Sequence, residues 1–322
     1  MWSHFVIAAV VIFFSGRYLS DLADETADLT GLSKGFIGAL ILGVITSLPE
    51  LIGTLSAVLF KDNPDLGVGN IFGSNLFNLA ILSAVILVFS SRIPSDGWKW
   101  HSNFPAYLSI SLSAFMVMLI GMYMLGVKTS SILSDLLIVG FYLIGMWLYS
   151  QQGGESNDLL LSVRTGPKRS LVRNIILLVV FGTLVVAAGV LLADVCNDIA
   201  NQTNLTSTFV GSLFMAAATS LPELVVTLRL LSLGNISMAT GNIFGSNMMN
   251  LTIIALADIF YRGSMYATIS DSQLVTLGAG ILMSGIFLSG SLVKGSKRIV
   301  LHIDNISIIF IYLLVYFWLY NH

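Results

Sequence analysis

The stretch Ile45-Thr46-Ser47-Leu48-Pro49-Glu50-Leu51, ITSLPEL, lies inside an otherwise apolar run from Phe36 to Phe60. Such a run can cross a bilayer as a helix, for which about 20 apolar residues suffice. Yet it holds a proline, which removes a helix hydrogen bond, and a glutamate, which is costly in hydrocarbon. The combination recurs as ATSLPEL at 218–224. Read outward, GALILGVITSLPELIGTL at 38–55 matches GSLFMAAATSLPELVVTL at 211–228. A second block follows each copy: GNIFGSNLFNLAI at 69–81 and GNIFGSNMMNLTI at 241–253. Upstream, Asp21 corresponds to Asp194. The offset is 173 residues, falling to 172 after one deletion between the motifs.

The composition bounds the class. Of 322 residues, 56% are hydrophobic and 10% charged, against about 25% charged in a soluble domain. The expected fold is all-α, a polytopic membrane protein without room for a separate large soluble domain. The net charge of −2 says little about partners, and the lone Cys196 excludes an internal disulfide. The first apolar segment, FVIAAVVIFFSG at 5–16, lacks a basic leader and a small-residue cleavage site. It reads as a retained helix rather than a signal peptide.

About ten spans are expected: 3–20, 36–60, 66–91, 104–126, 130–149, 171–193, 208–232, 236–260, 269–291 and 301–320. The polar stretch at 150–170 divides the chain into 1–149 and 171–322. With ten spans, Arg17, Lys34, Arg92, Lys99, Arg164, Lys168, Arg169, Arg173, Arg229, Lys294, Lys297 and Arg298 share one face, and Lys61, Lys128 and Arg262 the other. The excess of basic residues marks the cytoplasmic face. Both termini should then be extracytoplasmic, and the 150–170 linker cytoplasmic. Each half has an odd number of spans, so the second enters from the opposite side. Two inverted-topology repeats of five are expected, an architecture of secondary transporters. The two TSLPE copies would then meet near the midplane.

The chemistry follows from the residue types. Pro49 has no N–H to offer the Ile45 carbonyl and disfavours helical geometry at Leu48. A freed carbonyl in the membrane needs another partner, and a hard cation is one. Glu50 adds a carboxylate, and Thr46 and Ser47 add hydroxyls. Thr219, Ser220, Pro222 and Glu223 repeat the set. Gly69, Gly73, Gly241 and Gly245 permit close backbone approach or a helix break. Ser74 and Asn78 are four residues apart, as are Ser246 and Asn250, so each pair shares a helix face. The candidate metal-ligating residues are therefore Glu50, Glu223, Thr46, Ser47, Ser74, Asn78, Thr219, Ser220, Ser246 and Asn250. Oxygen-only ligation suits Ca2+, Na+ or Mg2+ rather than a soft metal. Thr54 and Thr227 fit packing as well as a pathway. Asn75 and Asn247 should face away from the site and stabilise the helix break. Arg229 is six residues past Glu223 and is expected to snorkel to the cytoplasmic interface, with a gating or counter-charge role as the alternative. Asp21, Asp24, Glu25, Asp194 and Asp198 read as solvated helix ends, with Asp21 and Asp194 as a possible rim of an entry path.

At these motifs the chain resembles the cation/Ca2+ antiporter superfamily, and within it the sodium/calcium exchanger-like branch of prokaryotic type. The resemblance covers nearly the whole chain and rests on TSLPE paired with GNxxGSNxxN, twice. It implies an antiporter in which Na+ and Ca2+ compete for one central site by alternating access. It implies no enzyme activity, no cofactor beyond the transported ions, no nucleic acid, and a multi-pass location in the plasma or inner membrane. A monomeric unit is the expectation for the assembly state. Members of the branch often have glycine where Ile45 and Ala218 stand; bulkier residues there alter the geometry of nearby carbonyls. Asparagine at both 78 and 250 resembles the K+-independent branch. Coupling to H+ is the alternative, since protonation would also neutralise the two glutamates. A channel would conduct without a counter-ion. An intramembrane hydrolase would need a catalytic set that His4, His101, His302 and His322, all near span ends, do not supply. A signalling receptor would not need duplicated buried acids.

Overall fold

The computed structural model describes residues 2–60, 62–90, 103–127, 130–152, 170–200, 215–292 and 298–321. Among them the regular secondary structure is all helical, with no strand. Helix α1 is Trp2–Thr30. The first motif run divides into α2 (Lys34–Ile37), a π-helical turn (Gly38–Leu42), α3 (Gly43–Thr46) and α4 (Leu48–Phe60). Then come α5 (Pro64–Phe89), α6 (Phe104–Met124), α7 (Ser131–Ser150) and α8 (Leu171–Ala200). The second motif run holds α9 (Ala216–Thr219) and α10 (Leu221–Ser232). The chain ends with α11 (Ile236–Asp258), α12 (Asp271–Leu292) and α13 (Arg298–Asn321).

Eight helical stretches among the described residues are long and apolar enough to cross a membrane. The expected span 208–232 begins at residues outside those described, as does most of the 150–170 linker. The expected span 236–260 is α11, a 23-residue helix that is not among the eight. It lies at the centre, packed against α5, α6, α7, α10 and all parts of the first broken run. The first span is longer than expected, since its helix continues from the predicted end at 20 to Thr30.

Helices α1 and α8 pack against each other more extensively than any other pair. They turn Val6, Phe13, Phe14, Val172, Ile176 and Val179 outward, as a lipid-facing surface requires. α5 and α11 are buried around nearly their whole circumference, which is why neither needs a polar face.

Close approach of backbones builds the centre. A β-carbon on Gly245 would run into the backbone of Ala39, and one on Gly241 into the carbonyl of Gly35. One on Gly43 would sit 2.9 Å from the Ser246 nitrogen. The glycines of the second GNIFGSN block thus serve close packing, and α5 and α11 run unbroken through both blocks. The expectation that Asn75 and Asn247 stabilise a helix break is corrected on this point.

Gly245→Ala should therefore destabilise the fold by about 1–3 kcal/mol, the usual penalty for overpacking. Gly140, a helical position with open space around it, should accept alanine with no loss or a slight gain. Thermal unfolding in detergent checks the contrast; equal midpoints for the two variants would contradict it.

Candidate cation site

Both TSLPE copies interrupt their helices at the serine. Ser47 has φ −84° and ψ −1°, and Ser220 φ −86° and ψ 9°. The helix resumes at Leu48 and at Leu221, so the displaced residue lies one position earlier than proline sterics suggested. The Ser47 N–H donates to the Gly43 carbonyl at 3.3 Å, and the Leu51 N–H to the Ser47 carbonyl at 3.1 Å. Ser220 repeats both bonds, at 2.9 Å to Ala216 and 3.2 Å from Leu224. Glu50 and Glu223 thus occupy the first turn of a new helix, where the dipole favours a carboxylate.

All ten residues singled out by the motifs have 0% exposure, and they lie together. The Ser220 hydroxyl donates to Glu50 Oε1 at 2.9 Å, and the Ser74 hydroxyl to the same oxygen at 3.4 Å. Neither carboxylate oxygen of Glu223 has a hydrogen-bond partner. Thr46 Oγ1 lies 3.1 Å from Ser246 Oγ, and Thr219 Oγ1 3.4 Å from Ser74 Oγ. Each motif threonine therefore meets the serine of the other half's GNIFGSN block.

Between α5 and α11 four asparagines exchange bonds. Asn75 Nδ2 donates to the Asn247 carbonyl, and Asn247 Nδ2 to the Asn75 carbonyl, both at 3.3 Å. Asn78 Nδ2 donates to Asn247 Oδ1 at 3.0 Å, and Asn250 Nδ2 to Asn75 Oδ1 at 2.9 Å. With their amide nitrogens so engaged, Asn78 and Asn250 keep their Oδ1 atoms free. Six buried oxygens of the set have no hydrogen-bond partner: Ser47 Oγ, Glu50 Oε2, Asn78 Oδ1, Glu223 Oε1, Glu223 Oε2 and Asn250 Oδ1. Buried oxygens left unpaired carry a large desolvation penalty. Among the described residues, no lysine, arginine or histidine pairs with either glutamate.

Sequence reasoning missed Asn70 and Asn242. Asn70 Nδ2 donates to the Glu50 carbonyl at 3.3 Å and to Thr54 Oγ1 at 3.1 Å, and its Oδ1 accepts from Thr219 Oγ1 at 3.2 Å. Asn242 Oδ1 accepts from Thr46 Oγ1 at 3.5 Å. Their identity in both copies of GNIFGSN was the available signal. Thr54 is explained by this network, whereas Thr227 Oγ1 is buried without a partner. The Arg229 guanidinium forms a two-pronged ion pair with Asp21, at 2.9 and 3.0 Å, which gives it a counter-charge. Asp24 is likewise no solvated end, since it is buried and pairs with Lys34 at 2.8 Å. Ile45 sits against Gly182 of α8, so the absence of a side chain there accommodates its bulk.

The sequence model of the sodium/calcium exchanger protein family matches residues 1–150 and 173–321. The chain belongs to that family. Similar proteins include the inner membrane protein YrbG of Escherichia coli, 28% identical over 77% of this chain and 76% of its own length. The putative antiporter CaxA of Alkalimonas amylolytica is 24% identical over 86% of each chain. Structures of the sodium-calcium exchanger NCX_Mj share the fold, with a TM-score of 0.74 at 18% identity over 97% of this chain and 96% of the other. This exchanger-family protein is therefore a multi-pass helical membrane protein of a transporter family.

Asn247→Ala removes the acceptor that orients Asn78 and leaves buried polar groups unpaired. We expect a loss of about 1–3 kcal/mol, together with a smaller upward shift of the melting midpoint when divalent cation is added. Thermal unfolding with and without cation measures both; an unaltered midpoint and an unaltered shift would contradict the assigned contacts.

Proposed function

We propose that the chain is a secondary antiporter that exchanges Ca2+ for Na+ at one central site. The observation that carries this reading is the set of six buried, unpartnered oxygens, three of them carboxylate oxygens, with no basic residue paired to them among the described residues. Hard cations take such ligands; Ca2+ accepts six to eight oxygens. Glu50 and Glu223 supply the charge, and Ser47, Asn78 and Asn250 supply neutral oxygens. Thr46, Ser74, Thr219, Ser220 and Ser246 complete the shell and are free to turn their hydroxyl protons away from an ion. The family membership and the named antiporters among the relatives point the same way.

Charge balance makes the exchange obligatory. Two ionised carboxylates are neutralised by one Ca2+ or two Na+, and a third Na+ can enter on neutral oxygens. The site left empty and doubly ionised is costly inside the membrane, so the carrier does not cross between states unloaded. Domain organisation follows the repeat: 1–149 and 171–322 form inverted halves joined by 150–170. The reciprocal asparagine bonds, between residues offset by 172, support that reading. So does the matched pair Gly16 and Gly189, offset by 173. Each seats its helix on the partner run, Gly16 of α1 against Val225 and Gly189 of α8 against Pro49. Helices α1 and α8 would slide along these smooth points to open the site to one side and then the other. Both termini are assigned to the outside of the plasma or inner membrane.

Proteoliposomes loaded with Na+ and diluted into Na+-free buffer should take up radioactive Ca2+, and those without a Na+ gradient should not. Glu50→Gln and Glu223→Gln should each cut uptake at least about ten-fold, since each removes one unit of charge from a buried site. Uptake driven by a proton gradient alone would replace Na+ with H+ as the coupling ion. No Ca2+ uptake under any gradient, in folded protein, would refute the calcium assignment.

A further inference from the structure

Helix α1 is tied at its inner end to three elements of the core. Arg229 of α10 donates through Nε to Asp21 Oδ1 at 2.9 Å and through Nη2 to Oδ2 at 3.0 Å. One α-helical turn on, Asp24 pairs with Lys34 of α2 at 2.8 Å and accepts from Asn235 Nδ2, just ahead of α11, at 2.7 Å. The seam beside them is tight, because Ser20 is fully buried and its hydroxyl reaches the Val226 carbonyl at 3.5 Å.

The other half lacks the equivalents. In the 173-residue register, Asp21 becomes Asp194 and Arg229 becomes Ser56. Asp24 and Lys34 become Asn197 and Ser207. Asp194 is exposed on α8, and a serine cannot form an ion pair with it. The repeat keeps the glycines and the motif residues, but among the described residues the ion pairs stand on the α1 seam only.

We propose that Asp21–Arg229, supported by Asp24–Lys34, is an ionic latch that closes the Arg229 end of the α1–α10 seam and biases the carrier against opening there. The proposal rests on the alternating-access reading above. On that reading, opening this end moves α1 relative to α10, which breaks the two-pronged pair. Among the described residues, opening at the other end breaks no such pair. The Asp21 and Arg229 side chains are 28% and 22% exposed, so the latch is weak enough to open in each cycle. Basic residues assign this end to the cytoplasm.

The test reads the seam directly. A thiol at Ser20→Cys, in a Cys196→Ser background, is exposed to a membrane-impermeant thiol reagent applied to each face of reconstituted vesicles in turn. Asp21→Asn and Arg229→Gln should each raise labelling from the Arg229 face about five-fold, the factor carried by an ion pair of this exposure. Labelling from the opposite face should not rise. The charge-exchanged double variant, Asp21→Arg with Arg229→Asp, should restore slow labelling, which a purely steric role would not do. Arg229→Lys, which keeps the charge and loses the fork, should fall between and serves if the neutral variants misfold. Equal labelling in all variants, or fast labelling in the exchanged pair, would overturn the latch. Labelling requires no transport, so a failure of Ca2+ uptake would strike the exchanger reading and leave this measurement standing.

Discussion

Two carboxylates are fully buried with no basic side chain paired to either among the described residues, and the proposed site rests on that constraint. Glu50 and Glu223 are fully buried, and three of their four oxygens have no hydrogen-bond partner. A charged group in such surroundings is tolerated only when something neutralises it. Hydroxyls of Ser220 and Ser74 offer Glu50 partial relief. They cannot supply positive charge. A mobile cation can, which is the role proposed for these residues.

Broken and unbroken helices divide the work. The breaks at Ser47 and Ser220 turn each glutamate into the first turn of a new helix. The intact α5 and α11 supply a fixed wall of asparagines, locked by reciprocal bonds that leave Asn78 and Asn250 oxygens free. Glycines let that wall approach the first broken run at backbone contact. Rigidity at the site and smooth contacts at Gly16 and Gly189 outside it are compatible with a core that stays whole while α1 and α8 move.

Much of this was legible in the sequence because duplication isolates what chemistry needs. Ten residues chosen from two repeated motifs are all buried, and hydroxyl contacts join the two halves. Asn70 and Asn242 escaped although they stand in both copies, because asparagine in an apolar helix gives no hint of which backbone it will hold. The Asp21–Arg229 pair escaped for a different reason. Its members are 208 residues apart, and periodicity measured from Glu223 describes only the face of one helix. The tie of Asp135 to the Tyr266 hydroxyl, at 2.7 Å across 131 residues, was hidden in the same way. The end of the first span was misplaced because Asp21, Asp24 and Glu25 look like a polar boundary. In the structure their partners let the helix run on to Thr30.

The most direct test of the shared chamber is equilibrium binding of radioactive Ca2+ to the purified protein across a Na+ titration. One saturable Ca2+ site per chain, displaced competitively and steeply by Na+, is the predicted result, because both ions draw on the same two carboxylates. Ca2+ binding that persists undiminished at saturating Na+ would mean that the ions occupy separate sites, and would contradict the account at its centre.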